Sequence, residues 1–333
     1  MAAIDAVREA LRPRALGVGR SATAIVAARA VADQGGPAVR AVIFFGSRKT
    51  QARPDAWSAW DFFVLVDRYR DVYRSLKNAG ALRHGASLLA AVSAAMPPSS
   101  IALRAPDAQG GPPLLLKCQV VTMEAYRRET SQGRHDHFLL GRLFQPAEIV
   151  YAADPAAAAE ALEGLARACV LTFCWVKPSL PPRFDVALYC RTLLRVSFAG
   201  EIRPEPAGRA EALWSAQQDA LRPVYSALLS ELLAAGELAE AEPGLYALAR
   251  PVTRAERLRL AAYFRWSLVR ATARWAKHIV TFEGWLDLLV RKARRHTGQD
   301  IVLTPRERRL PLVFLWPRVI RYLRDKDAGE RRP

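Results

Sequence analysis

AVIFFGSRKTQARPDAWSAWDFFVLVD, residues 41–67, is the stretch from which the rest of the chain can be read. Residues 38–45 are apolar and β-branched and predict a buried strand that stops at Gly46-Ser47. A loop of about a dozen residues follows, with Pro54 and Asp55 in it. Residues 61–66, DFFVLV, then predict a second strand. Gly46 lets the backbone turn tightly. Ser47 and the neighbouring N–H groups suit phosphate oxygens. Asp61, opening the next strand beside that turn, suits a divalent cation. The plain alternative is a hairpin whose Gly-Ser is only a turn, because that pair is common.

Outward from this stretch, residues 1–35 and 71–96 read as helix, the latter ended by Pro97-Pro98. Residues 101–103 and 114–121 read as further strands joined by the Gly/Pro-rich turn 110–113. The expectation is an α+β domain over residues 1–154. From Pro155 the composition turns to Ala and Leu at helical spacing without obvious strands, which predicts a mostly helical domain over 155–253. A basic helical region, 254–333, completes the chain.

The 333 residues are 51% hydrophobic and 24% charged, which excludes a disordered tail, a collagen-like repeat and a disulfide scaffold. Four cysteines without a CxxC pair predict a reducing compartment and no zinc site. No run approaches the roughly 18 apolar residues needed to span a bilayer. The N-terminal arginines and serines are compatible with a presequence, but Asp5, Glu9 and the helical spacing of Ile4, Val7 and Leu11 favour a structured first helix.

A formal net charge of +17 points to an acidic partner: nucleic acid, nucleotide or anionic lipid. Residues 254–333 hold 20 Lys+Arg against 8 Asp+Glu, and four of the eight tryptophans: Trp266, Trp275, Trp285 and Trp316. Basic residues beside Trp and Leu suit a helix in the headgroup plane of an anionic membrane. A solvated, arginine-rich helical bundle explains the same charges.

The strand, Gly-Ser turn, loop and Asp-led strand together resemble the nucleotidyltransferase superfamily founded on DNA polymerase beta. That superfamily usually opens the second strand with two acidic residues one apart, and here the first position is Ala59. Further along, the chain resembles the mitochondrial-type phosphatidate cytidylyltransferases, the translocator assembly and maintenance proteins. These keep the second acidic position, on which Asp61 falls, without reliably keeping the first. VYRSLKNAGALRHG (72–85) places Ser75 and His84 on a family helix, and LLLKCQVV (114–121) places Lys117 on a lysine-bearing strand. HFLLGRLFQPAEIVY (137–151) aligns Gly141, Arg142, Leu143 and Pro146 with a Gly-Arg-Leu segment followed by proline and an apolar strand. RVSFAGEIR (195–203) places Ser197, Gly200, Glu201 and Arg203, with Tyr225 in a helix downstream. SLVRATARWAKH (267–278) resembles a late Arg/Ser-rich helix more weakly.

The resemblance implies Mg²⁺-dependent cytidylyl transfer from CTP to phosphatidic acid, giving CDP-diacylglycerol and pyrophosphate. It implies Asp61 as the Mg²⁺ ligand and, with Lys117, as catalytic. It implies Gly46, Ser47, Arg142, Glu201 and Arg203 around the nucleotide. A lysine mid-strand among apolar neighbours needs a charge partner if buried; otherwise it is an edge lysine in solvent. Arg142 suits a bidentate phosphate clamp or a surface salt bridge. His84 reads as a helix-surface histidine, and His135-Asp136-His137 as a loop rather than a metal site. Asp67 lies about 20 Å along the strand from Asp61, too far to share a metal.

The expected enzyme works peripherally at an anionic membrane surface, without a transmembrane helix and without nucleic acid. The Ala/Arg-heavy composition suggests a GC-rich bacterial genome, hence the cytoplasmic face of a membrane. Two alternatives stay open: a nucleotidyltransferase with a soluble acceptor, and an inactive module of the same fold that binds nucleic acid or anionic membrane.

Overall fold

The computed structural model describes residues 2–17, 19–50, 59–82, 84–107, 110–197, 208–281, 290, 303–309 and 314. Contacts group Met1–Thr281 into one compact unit and Phe282–Pro333 into a second. Of the second, the main described element is the short helix Pro305–Arg309, whose start is capped reciprocally by Thr304 and Glu307.

The first unit is mixed α+β, built on a five-stranded sheet: β1 Val39–Phe45, β2 Trp60–Val66, β3 Ser99–Ala105, β4 Leu114–Thr122 and β5 Glu148–Ala152, in the order β3-β4-β2-β1-β5. β2 and β4 run parallel, and the other pairs are antiparallel. Side chains alternate between the two faces of a strand. Val42, Phe44, Phe62, Val64, Val66, Cys118 and Val120 therefore join one apolar cluster, with α2 Ala22–Gly35, α4 Tyr69–Asn78 and Leu89 of α5 Ala86–Ala95. Ala41, Ile43, Phe45, Phe63, Leu65 and Val121 join the opposite cluster, with Leu162 and Leu165 of α8 Pro155–Val170 and Tyr126 of α6 Met123–Glu129. Burial on both faces is why β1 and β2 are near-continuously apolar instead of alternating.

A third cluster gathers around Trp175, Tyr189, Trp214 and Tyr225, from α9 Thr172–Val176, α10 Val186–Ser197 and α11 Arg209–Ala234. α1 Ala2–Ala15 adds Val7 to it, and Leu260 and Phe264 of the 28-residue α12 Arg254–Thr281 pack against it. Tyr225 donates from its hydroxyl to the Phe144 carbonyl at 3.0 Å, an anchoring role within the core.

Three sequence expectations are corrected. The helix over 1–35 is two helices, interrupted between Ala15 and Ala22 by a segment with Gly19 at φ +89°. The helix over 71–96 is likewise two, broken where Gly80 takes φ +71° and its N–H turns back to the Lys77 carbonyl. The region after Pro155 does contain strands, the hairpin β6 Leu238–Glu242 and β7 Leu245–Leu248. Its first strand, LAEAE, is made of residues with low β preference and forms because Leu238 and Tyr246 reach the third cluster. Among the described residues no helix is long and apolar enough to cross a membrane.

Gly164 marks the tightest crossing of α8 over α6, because a Cβ there would lie 2.2 Å from Tyr126 Cε1. Gly164→Ala is expected to destabilise the chain by about 1–3 kcal/mol through overpacking. Urea denaturation checks this; an unchanged midpoint would mean that Tyr126 has room to move.

Candidate functional site

The site forms where one face of the sheet loses its apolar cover. In β2, Asp61 shares the face of Phe63 and Leu65; in β4, Lys117 and Gln119 share the face of Val121. The register sets Asp61 opposite Phe45 on one side and opposite Lys117 on the other. Over this polar end lies the segment carrying α7, Leu140–Leu143. Between them opens a cleft of about 170 Å³, lined by Phe45, Gly46, Asp61, Lys117, Gln119, Arg142 and Gln145.

Gly46 has φ +87°, and a Cβ there would lie 2.6 Å from Asp61 Oδ2. Both facts require glycine: only glycine takes this conformation readily, and only glycine leaves room for the carboxylate. The Asp61 carboxyl group thus faces the bend. Lys117 Nζ stands 4.0 Å from Asp61 Oδ1, with the two side chains 38% and 21% exposed. A pair this open adds little to stability.

The segment after the bend is tied down. Ser47 opens the one-turn helix α3, Ser47–Thr50, next to Gly46, though it is not among the cleft-lining residues. Lys49 pairs with Glu148 of β5, which is buried and also accepts the Ser21 N–H at 3.1 Å. The Arg48 guanidinium lies 4.9 Å from the centre of the Trp60 ring. Gln119 accepts from the Ser100 hydroxyl at 2.7 Å, and Gln145 from Gln217 at 3.3 Å, so both amides are oriented.

Of the residues expected at the site, Gly46, Asp61, Lys117 and Arg142 converge on the cleft, and Ser47 adjoins it. Glu201 and Arg203, with Gly200, lie outside the described residues. Ser75 sits in α4 against Gly36, and His84 is exposed between α4 and α5; neither lines the cleft. Asp67 ends beyond β2 beside Arg40, at 3.6 Å. Among the described residues Asp61 is the single carboxylate lining the cleft, and no described group of three His, Cys, Asp or Glu is placed to hold a metal by itself. One carboxylate fits a cation such as Mg²⁺ when phosphate oxygens supply further ligands, as that ion commonly requires.

Sequence reasoning missed the inner face of α12. Arg270, Arg274, Lys277 and His278 fall at i, i+4, i+7 and i+8, one face of a helix. Arg274 and Lys277 are buried, at 2% and 7% exposure, so these charges do not face solvent or a membrane as a basic surface helix requires. Lys277 donates to the carbonyls of Met96 and Pro98. Burial, with the positive charge of Arg274, pushes its ammonium down to about 6. A neutral amine has two N–H donors, which matches two carbonyls. His278 is pushed down to about 3 by burial and by the charges of Lys117, Arg274 and Arg142. Buried His137 is likewise pushed down to about 3 by burial and by Arg134 and Arg142; it packs edge-on against Trp175. The HDH segment is thus a packing element.

The unfolded Lys277 titrates at its ordinary value of 10.5 and the folded one at about 6. Between these limits the unfolded state holds the extra proton, so the stability contributed at this site rises with pH from about 6 upward. Lys277→Met should therefore gain most over the parent near pH 6 and progressively less by pH 9. The difference should change by on the order of 1 kcal/mol per pH unit, measured by chemical denaturation. A difference independent of pH contradicts a neutral buried amine.

Compared with known proteins, the chain matches no family model and no curated protein.

Proposed function

We propose that the cleft is the active site of a nucleotidyltransferase-type domain that moves a cytidylyl group from CTP to the phosphate of phosphatidic acid, giving CDP-diacylglycerol and pyrophosphate. The observation that carries this reading is the placement of Asp61 against the Gly46 bend, with Lys117 and Arg142 lining the same cleft. A carboxylate beside a lysine and an arginine, as the described residues of the cleft place them, suits a polyphosphate accompanied by a divalent ion.

In this reading Asp61 and the nucleotide's phosphates would hold Mg²⁺, which neutralises phosphate charge and polarises the reacting phosphoryl group. Lys117 and Arg142 contribute positive charge to the triphosphate, Arg142 through a planar fork. Gly46 lines the cleft, and Ser47 follows it at the start of α3. A phosphomonoester oxygen of the acceptor forms the new bond to the α-phosphorus, the α–β bridging bond breaks, and pyrophosphate departs. That oxygen is already anionic at neutral pH because the second phosphate pKa is near 6. No strong general base is needed. Positioning and charge neutralisation supply the catalysis.

A lipid acceptor gives α12 a second role. Its outward side exposes Leu258, Trp266 and Val269, at 71%, 55% and 57%, together with Arg254, Arg257, Arg259 and Arg265. Apolar bulk flanked by arginines suits a peripheral contact with an anionic bilayer.

Incubation with labelled CTP, phosphatidic acid vesicles and Mg²⁺ should yield CDP-diacylglycerol, and Asp61→Ala should reduce the rate by at least about 10²-fold, the scale of a lost electrostatic group. No lipid product above the Asp61→Ala background overturns the reading. Trp266→Glu with Val269→Glu should weaken co-sedimentation with anionic vesicles while leaving CTP binding intact. Unchanged co-sedimentation would remove α12 from the membrane contact.

A further inference from the structure

The loop carrying His135, Asp136 and His137 is where α12 meets the wall of the cleft. Asp136 is 3% exposed, and its two oxygens serve different elements. Oδ1 accepts the Phe138 N–H at 2.9 Å, fixing the turn that leads into α7. Oδ2 accepts from Arg270 Nε at 2.8 Å and Arg274 Nη2 at 2.6 Å, both on α12. Burial opposes the charged carboxylate, but Arg274 and the bonds from Arg270 and Phe138 hold it below its ordinary value, so it stays ionised. The adjacent His137 N–H donates to Ser267 Oγ, again on α12, at 3.0 Å.

Phe138 continues the chain toward the cleft. The guanidinium carbons of Arg274 and Arg142 lie 4.5 Å and 3.9 Å from the centre of its ring. Its carbonyl also accepts from Arg142 Nη1 at 2.9 Å. Arg142 is thus held by both the ring and the backbone of one residue. That residue is oriented by Asp136, and Asp136 is clamped by two arginines of α12. Arg142 is the member of this chain that lines the cleft.

We infer that Asp136 and Arg274 are positioning residues, which aim the Arg142 guanidinium into the cleft through Phe138 and so set how tightly the polyphosphate is held. The inference rests on the cleft being a nucleotide site, as argued above. Asp136 and Arg274 touch no ligand in this account. Their effect passes entirely through Arg142, and that gives it a signature that a merely structural contact lacks. Once Arg142 is gone, loosening its support costs the ligand nothing further.

The test is a double-substitution cycle read by calorimetric titration of the full chain with CTP and Mg²⁺. Asp136→Asn keeps an acceptor for the Phe138 N–H and removes the charge that gathers Arg270 and Arg274. It should weaken CTP binding by about 10-fold, within the coupling energies seen for neighbouring groups. Arg142→Gln should weaken it by at least as much. The double variant should bind within about two-fold of Arg142→Gln alone, because the effects share one path. If Asp136→Asn does not fold, as its thermal transition will show, Arg274→Lys takes its place. That variant keeps a cation for Asp136 but loses the planar group over Phe138, and the same non-additivity is expected. Fully multiplicative losses, or unchanged CTP affinity in the folded single variant, overturn the inference while leaving the nucleotide site standing. Failure of the parent chain to bind CTP at all overturns the nucleotide reading and this inference with it.

Discussion

A carboxylate packed against a glycine bend is the constraint around which this molecule is organised. Asp61 Oδ2 occupies space that any side chain at residue 46 would need, and Gly46 holds a backbone conformation that other residues rarely take. The arrangement exists only because β1 and β2 pair in a register that sets Phe45 against Asp61, while parallel pairing of β2 with β4 sets Lys117 on its other side. A one-residue slip in either ladder would turn the acidic or basic side chain into the opposite apolar cluster. Burial of both sheet faces is therefore what fixes the chemistry at the sheet's end.

α12 carries apolar and basic residues on both its inner and its outer side. Leu258, Trp266 and Val269 face outward, and Arg274 and Lys277 face inward. Burying a guanidinium or an amine is costly unless it finds partners. Here the partners are one carboxylate, Asp136, and the backbone carbonyls of residues 96–98, the latter supplied by the turn that ends α5. Removing one partner of such a buried pair typically costs about 3–5 kcal/mol, so the inner face of α12 is bound firmly to the domain that bears the cleft. In the proposed reading, one helix thereby connects a lipid surface to the groups that grip a polyphosphate.

Much of this could be read from residues 41–67, and the reason is physical. β1 and β2 are apolar on both sides, and their ends are marked by Gly46 and by Asp61, the first charge after the loop. Strand identity, turn and candidate carboxylate therefore all appear within one short window. Lys117 and Arg142 were found only because their segments resemble a known pattern; composition alone gave Lys117 no preference between solvent and a partner. The two helix breaks had signals that the apolar periodicity overrode: Gly17 and Gly19 precede the N-cap Ser21, and Gly80 and Gly85 flank the second break. The β6–β7 hairpin was hidden because Ala and Glu pair there for the sake of two tertiary anchors, Leu238 and Tyr246. The Asp136 cluster was the least legible. HDH invites a metal reading, and its true partners lie more than a hundred residues away on α12. The available signal was the helical spacing of Arg270, Arg274 and Lys277, which marks a cationic stripe without saying which way it faces.

The most direct measurement is a crystal structure of the chain grown with CTP and Mg²⁺. The account predicts a triphosphate lying between the Gly46 bend and the Lys117 and Arg142 side chains, with a cation bridging its oxygens to the Asp61 carboxylate. A nucleotide bound elsewhere on the molecule, or one seated in this cleft with Asp61 turned away from both cation and phosphate, would contradict it.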